Sequence, residues 1–217
     1  MEGGVVGSLS SEPWQCVTRE AGWQPRDSQG EFVHDNQLWV LGGWFDPQLP
    51  NPRDVWKSAD GVNWTCVCKE APWLHSDIPV ALSYDGRIWI FGGGSWKPDH
   101  RERNDVWCSE DGEQWTQITD AAPWQSRIWF SAVGYRDHMW VLGGWSAEHG
   151  NFGDAWYSRN GADWHAYETD LCWAPRHEQS GLVLHDRIWI AGGFADKLDS
   201  EVWSLSLPTD WPGAEIS

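Results

Sequence analysis

With 217 residues, the chain is long enough to bury the core of one large domain or of two small ones. Its 32 acidic and 15 basic residues give a formal charge of −17. This balance argues against nucleic acid and membranes as partners, because anionic partners are recognised by clustered Lys and Arg, and it favours cationic or neutral ligands. The 21 Trp residues outnumber all other aromatic residues together and predict a core built from indole rings.

The first predicted element is an extended segment at 13–24. The stretch WQCVTREAGWQPR (14–26) matches WTCVCKEAPWLHS (64–76), and four columns of Trp continue the match at intervals of 47 to 51 residues. The columns are Trp14, Trp64, Trp115 and Trp164; Trp23, Trp73, Trp124 and Trp173; Trp39, Trp89, Trp140 and Trp189; and Trp56, Trp107, Trp156 and Trp203. We therefore predict one domain over 1–217 with four repeats, at about 25–73, 74–124, 125–174 and 175–211. The column Trp residues, together with Trp211, are predicted to lie in the core.

Each repeat is predicted to contain four antiparallel strands and no helix. In the first repeat, residues 31–34 and 37–41 form a β-hairpin around the two-residue turn Asp35-Asn36. The matching turns are Asp85-Gly86, Arg136-Asp137 and His185-Asp186. After a Gly pair and a variable loop, a third strand opens with DVW, DAW or EVW. A second turn, such as SEDGEQW (109–115), leads into the fourth strand.

These features resemble the kelch repeat: a strand that ends in Gly-Gly, spaced aromatic residues after it and a period near 50 residues. The resemblance covers about 11–211. It implies an all-β fold, a β-propeller of four-stranded blades like that of the central domain of galactose oxidase. It implies little about function, because this fold carries unrelated activities.

The two ends of the chain each lack part of a repeat. The segment 13–24 corresponds to a fourth strand without its first three, whereas the last repeat has three strands and meets Pro212 directly after Trp211. We expect the N-terminal strand to pair with the last three strands and to close a ring of four blades, which removes the free sheet edges. An open arc and an eight-bladed ring of two chains are the alternatives, so the expected state is a monomer or a homodimer.

The face that carries the variable loops (44–53, 94–104, 145–153 and 194–200) is the predicted binding face, because variable loops on a rigid scaffold commonly bind ligands. A column of arginines, Arg26, Arg127 and Arg176, belongs to it, with Ser76 at that position in the second repeat. A ring of guanidinium groups would bind a carboxylate or phosphate. Alternatively, each arginine pairs with an acidic column within its own repeat: Asp54, Asp105, Asp154 and Glu201.

Two further sets of candidates lie near the arginines. After the arginine column the residues differ between repeats, and there His177 and Glu178 form a candidate acid/base pair and Trp129 a candidate stacking wall. A channel simply filled by side chains is the alternative.

The variable loops contain three further indoles, those of Trp44, Trp96 and Trp145. An indole in such a loop binds a sugar, anchors a protein partner or folds back over a neighbouring blade.

The sequence contains no metal-ligand spacing, no nucleophile motif and no phosphate-binding loop, so we predict no metal site and no cofactor. The five Cys residues are an odd number, and the N-terminus lacks the pattern of a signal peptide. We therefore expect free thiols and a cytoplasmic protein without a membrane span.

The favoured function is a non-catalytic propeller that binds a protein or peptide on its variable-loop face. The alternative is a carbohydrate-binding module or an enzyme resembling the kelch-fold sialic-acid mutarotases. In that case Arg127, Arg176, His177 and Glu178 would surround the channel mouth.

Overall fold

The computed structural model describes residues 14–44, 51–74, 80–95, 100–169 and 172–211. In these ranges the chain is all-β: it forms strands and no helix, and hence no helix that is long and apolar enough to span a membrane. Ser76 and Trp96 lie outside the described residues. The five Cys residues are free thiols, as expected.

Four antiparallel sheets follow one another along the chain, one for each predicted repeat. Sheet 1 contains β1 (Gly30–His34), β2 (Gln37–Leu41), β3 (Val55–Ser58) and β4 (Thr65–Cys68). Sheet 2 contains β5 (Val80–Tyr84), β6 (Arg87–Ser95), β7 (Arg101–Ser109) and β8 (Thr116–Thr119). Sheet 3 contains β9 (Ser131–Tyr135), β10 (His138–Leu142), β13 (Ala155–Ser158) and β14 (His165–Ala166), with a small hairpin of β11 (Trp145–Ser146) and β12 (Gly150–Asn151) in its variable loop. Sheet 4 contains β15 (Ser180–Val183), β16 (Ile188–Ala191) and β17 (Val202–Leu205).

Strand order in each sheet follows the order in sequence, so each sheet is a meander. The predicted four-stranded arrangement is confirmed for the first three repeats. The two-residue turns are also confirmed: His34 pairs with Gln37, and both turn residues have positive φ in each of the four hairpins (35–36, 85–86, 136–137 and 185–186). Two positive φ values define the turn type whose twist matches that of paired strands.

In the second and third repeats, the second turn also covers the core of the preceding sheet. Ser109 Oγ accepts a 2.8 Å hydrogen bond from the N–H of Gly112, and Asp111 Oδ1 accepts two more from the following N–H groups. Gly112 has φ 76°, and a Cβ there would lie 2.5 Å from the ring of Trp39. Glycine is therefore required where the turn covers the indole.

The core consists of three clusters, each between two successive sheets. Each sheet has a forward face, which packs on the next sheet, and a receiving face, which packs on the preceding one. On the forward faces, the second-strand indoles of sheets 1 to 3 are buried: Trp39 (3% exposed), Trp89 (3%) and Trp140 (0%). On the receiving faces of sheets 2 to 4, the corresponding buried residues are Ile88 (0%), Met139 (0%) and Ile188 (2%).

The predicted closure by the N-terminal strand is not formed in the described part of the chain. Residues 14–24 form no strand, and sheet 4 has three strands. Trp23 packs instead on Trp64 of sheet 1, with 4.2 Å between the ring centroids. The inner strands contact one another in the order β1, β5, β9 and β15, and among the described strands β15 makes no comparable contact with β1. As far as the structure describes them, the four sheets therefore form an open arc.

The prediction that every column Trp lies in the core is wrong for Trp14, which is 91% exposed. The physical reason is that the segment 14–24 has no strands of its own repeat to pair with in this arc. Trp211, at the other end, packs on the forward face of sheet 3. Its ring centroid lies 5.4 Å from that of Trp140 and 4.9 Å from that of Tyr157.

Candidate binding site on the variable-loop face

Arg127 connects the end of β10 to the start of β13. Its Nη1 donates to the carbonyl of Gly143 (2.9 Å) and to Asp154 Oδ1 (2.6 Å), and its Nη2 donates to Asp154 Oδ2 (2.9 Å). The residue is fully buried. This set of contacts, in which an arginine binds a glycine carbonyl and a carboxylate, is called the arginine unit below. It occurs twice more: Arg26 with Gly42 and Asp54, and Arg176 with Gly192 and Glu201. In the three repeats that contain it, the column arginine is thus paired with the acidic column of its own repeat, the second of the two arrangements that the sequence left open.

The carboxylate of Asp154 also accepts a 2.8 Å hydrogen bond from the indole N–H of Trp156. Burial raises the pKa of Asp154, but the hydrogen bonds and the charge of Arg127 outweigh it and hold this pKa below its ordinary value. The acid is therefore ionised at neutral pH. The unit as a whole fixes the strand ends that support the variable-loop face.

The Gly pair explains why an aromatic residue can follow the strand directly. Gly144 has φ 107°, and a Cβ there would lie 2.7 Å from Phe130 Cβ and 2.9 Å from the carbonyl of Ile128. This close approach lets Trp145 and Ile128 exchange two backbone hydrogen bonds of 2.9 Å. Equivalent bridges join Trp44 to Asp27 and Phe194 to His177. The aromatic residue is therefore fixed at the face through its backbone, although it belongs to a loop.

Four rings form a continuous aromatic row across sheets 3 and 4: Trp145, Trp129, His177 and Phe194. The centroids of Trp145 and Trp129 are 5.5 Å apart. The next two distances are 5.2 Å, from Trp129 to the stacked ring of His177, and 5.3 Å, from His177 to Phe194. The rings are partly exposed, and Phe194 is 39% exposed. The row offers a ligand a rigid apolar surface several rings long.

Trp129 has an unusual backbone for a bulky residue, with φ 56°. Ser28 and Glu178, which also lie two residues after an arginine of the column, have φ 52° and 55°. The conformation is therefore a property of the repeated backbone and not of one site. The N–H of Glu178 donates to the carbonyl of Trp129 (2.8 Å), which joins sheets 4 and 3 at this point.

Asn151 orients the imidazole of His177. Asn151 Nδ2 donates to the carbonyls of Phe194 (3.1 Å) and Ala195 (3.0 Å), so its Oδ1 is the acceptor that faces His177 Nδ1 at 2.6 Å. This network assigns the proton to Nδ1 and leaves Nε2 as an acceptor. Burial lowers the pKa of His177, partly offset by the charge of Glu178, so the ring is neutral at pH 7.

The structure brings together some of the predicted site residues and separates others. Trp129, Trp145 and His177 meet in the row, whereas Trp44 lies in sheet 1, two sheets away from Trp145. Glu178 is exposed, and the hydrogen-bonding partner of His177 is Asn151, which sequence reasoning missed because it matches no repeat column. Phe194 was missed too, although its position after a Gly pair is a signal that could have identified it.

No protein-family model matches the sequence, and comparison with curated proteins also finds no match.

Proposed function

We propose that this chain is a kelch-type propeller module without catalytic activity, which binds a protein or peptide on its variable-loop face. Successive four-stranded meanders with a period near 50 residues support the propeller assignment. The aromatic row carries the functional proposal. Its rings are fixed by backbone bridges and by stacking, so little side-chain entropy is lost when a partner is bound, and aromatic anchors of this kind dominate protein interfaces.

Charge favours a cationic segment in the partner. The chain carries −17 overall, and Glu102 and exposed Glu178 belong to the same face as the row. Glu102 accepts hydrogen bonds from the N–H of Ala147 (2.6 Å) and from His100, whose ring contacts Trp145 edge-on. Lys and Arg side chains are attracted to the faces of indole rings, and an acidic surface accelerates their approach.

A carbohydrate ligand is the second candidate, because an indole beside an imidazole acceptor and an amide suits the apolar and polar faces of a sugar ring. The arginines that a sugar-acid site would require are paired, however: Arg127 with Asp154 and Arg176 with Glu201. Phe130, beside Trp129, is buried against Trp124. These contacts favour the peptide over the sugar acid and over mutarotase-like catalysis.

Arrays of cationic, neutral and anionic peptides, with a glycan array beside them, would test the proposal. We expect the wild type to bind a subset of Lys- or Arg-containing peptides. Replacing Trp129 and Trp145 by Ala should weaken that binding at least tenfold, because both rings of the row are lost. Val62→Ala is the matched control: Val62 is 44% exposed in the turn between β3 and β4, at the opposite end of β3 from the variable loop.

Unchanged peptide binding by the double variant would contradict the assignment of this face. Binding to acidic glycans without binding to peptides would favour the carbohydrate alternative instead.

A further inference from the structure

An apolar cavity lies between sheets 3 and 4. Its lining includes Leu142 and Trp173 from the repeat of sheet 3, and Ile188, Ile190 and Trp203 from sheet 4. The interface between these two sheets thus contains unfilled apolar space.

In the interface between sheets 2 and 3, Trp164 fills the corresponding space. Its ring packs edge-on against Phe91 (5.8 Å, 87°) and Trp124 (5.9 Å, 85°). Leu142 and Trp173 are the repeat equivalents of Phe91 and Trp124. The equivalent of Trp164 in the last repeat is Trp211, which packs elsewhere, on Trp140 and Tyr157. The cavity is therefore the position of a column Trp that this repeat does not supply.

Within the described residues, the outer edge of sheet 4 is open next to this cavity. In sheets 1 to 3 a fourth strand pairs with the third, but within the described residues β17 pairs only with β16. In the sequence Pro212 follows Trp211, and a proline removes a backbone donor from a sheet edge. A strand edge left in this state is a template for another strand.

The segment 14–24 has the missing sequence pattern. It repeats the spacing of fourth strands such as 64–74 and 115–125, with Trp14 in the column of Trp164. Trp23 holds one end of the segment on sheet 1, at 4.2 Å from Trp64, while Trp14 at the other end is 91% exposed. The N-terminal end of the arc thus exposes an indole, that of Trp14, and sheet 4 at the other end lacks the indole of that column.

The two end faces of the arc expose apolar side chains. On the forward face of sheet 4, Leu182 (57%), Leu184 (56%) and Val202 (63%) are exposed. On the receiving face of sheet 1, Val33 (61%) and Leu38 (44%) are exposed. The residues equivalent to Leu38 in the other sheets are at most 2% exposed, so these end faces repeat the chemistry of the internal interfaces without their cover.

We propose that two copies of this chain associate end to end, and that residues 14–24 of one copy form the fourth strand of sheet 4 in the other. Trp14 then fills the cavity between sheets 3 and 4, and the exposed faces of sheet 4 and sheet 1 pack on each other. Reciprocal exchange closes a ring with two-fold symmetry. The proposal is independent of the function of the variable-loop face.

The repeat predicts the register of the added strand. In sheet 1, Lys57 pairs with Thr65. The equivalent pair across the interface is Ser204 and Gln15, because each lies one residue after a column Trp. Directly opposed residues of antiparallel strands have Cβ atoms close enough for a disulfide after small adjustments.

A variant with two new cysteines, Gln15→Cys and Ser204→Cys, tests the proposal. Cys16 is replaced by Ser in the same variant. Under mild oxidation we expect a disulfide-linked dimer at twice the chain mass of 24.8 kDa on a non-reducing gel. The two single-cysteine variants are the controls for linkage through the native thiols. A linked monomer would mean that the strand is supplied within one chain, and it would overturn the proposal, as would the absence of a specific link.

Sedimentation of the unmodified chain provides a second test. We expect a dimer for the wild type and a monomer for Trp14→Ala, whose fold is preserved because Trp14 is exposed in the single chain. Leu74→Ala removes another exposed apolar side chain (51%) and should remain a dimer. A monomeric wild type, or a dimer that is indifferent to Trp14→Ala, would contradict the proposal.

Discussion

At the scale of single residues, Arg127 shows how a charged side chain becomes part of the core. Its guanidinium donates to Gly143 and Asp154, and the ring of Phe152 lies 3.9 Å from it. Removing the side chain leaves a carboxylate and a carbonyl without their main donor. Such losses are costly because the remaining polar groups have been withdrawn from water.

We expect Arg127→Leu to lower the free energy of unfolding by about 2–3 kcal/mol, which is less than the loss for a fully buried pair because the side chain of Asp154 is partly exposed. Urea unfolding would measure it. Arg187→Leu, at an exposed arginine that makes one 3.3 Å hydrogen bond to Ser204, should change stability by no more than about 0.5 kcal/mol. Equal losses in the two variants would show that the Arg127 unit does not stabilise the fold.

The pKa of Asp154 predicts one part of the pH dependence. This pKa is lower in the folded state than its ordinary value of 3.8, so the unfolded chain takes up the proton first as the pH falls. The resulting stabilisation is complete above pH 3.8 and is lost as the pH falls through the folded-state pKa. When the pH falls from 5 to 3, the stability of Asp154→Asn should therefore decrease less than that of the wild type. The midpoint of urea unfolding at each pH measures this. Asp196→Asn, at an exposed aspartate, is the control. Parallel pH curves for the wild type and Asp154→Asn would contradict this assignment.

At the scale of the element, local chemistry determined what could be predicted from sequence. Turns such as Asp35-Asn36 and the Ser-x-Asp-Gly turns depend on a few neighbouring residues, and the structure contains them at the predicted positions. The N-terminal strand was predicted from its likeness to 64–76, but a strand forms only where another strand is available to pair with it. Asn151 could not be predicted, because its role depends on a contact with His177, 26 residues away.

Ser109→Ala tests the contribution of the second turn. The hydroxyl of Ser109 is buried and accepts from the N–H of Gly112, so its removal leaves a buried donor without that partner. We expect a loss of about 1–3 kcal/mol in the free energy of unfolding. Ser206→Ala, at an exposed serine of the last repeat, is the control and should be close to neutral. A neutral Ser109→Ala would mean that water or another acceptor replaces the hydroxyl.

At the scale of the whole molecule, the repeat predicted the number of sheets but not how the ends are arranged. The columns of Trp specify the interface between neighbouring sheets, and that interface occurs three times. Ring closure depends instead on the angle between sheets, which accumulates over the arc and has no signature in a single repeat. The exposed Trp14 and the cavity near Trp173 became visible only in three dimensions.

Association of two copies predicts that thermal stability depends on protein concentration. Because unfolding separates the copies, the Tm of the wild type should rise when the concentration is raised a hundredfold. Trp14→Ala, which removes the ring that enters the cavity, should have a Tm independent of concentration. Scanning calorimetry of both proteins would measure this, and a constant Tm for the wild type would contradict association.

The likeness between the end faces and the internal interfaces also makes the architecture extensible. In a repeat array each unit contacts only its neighbours, so gene duplication can lengthen the chain without inventing a new interface. A chain in which residues 125–174 are duplicated in tandem should therefore fold and unfold cooperatively, since the added unit meets the same forward and receiving faces. Loss of cooperative unfolding in that five-repeat chain would show that sheet 3 is specialised for its own two neighbours. If the five-repeat chain unfolds cooperatively, the number of repeats is a property that evolution can change in single steps.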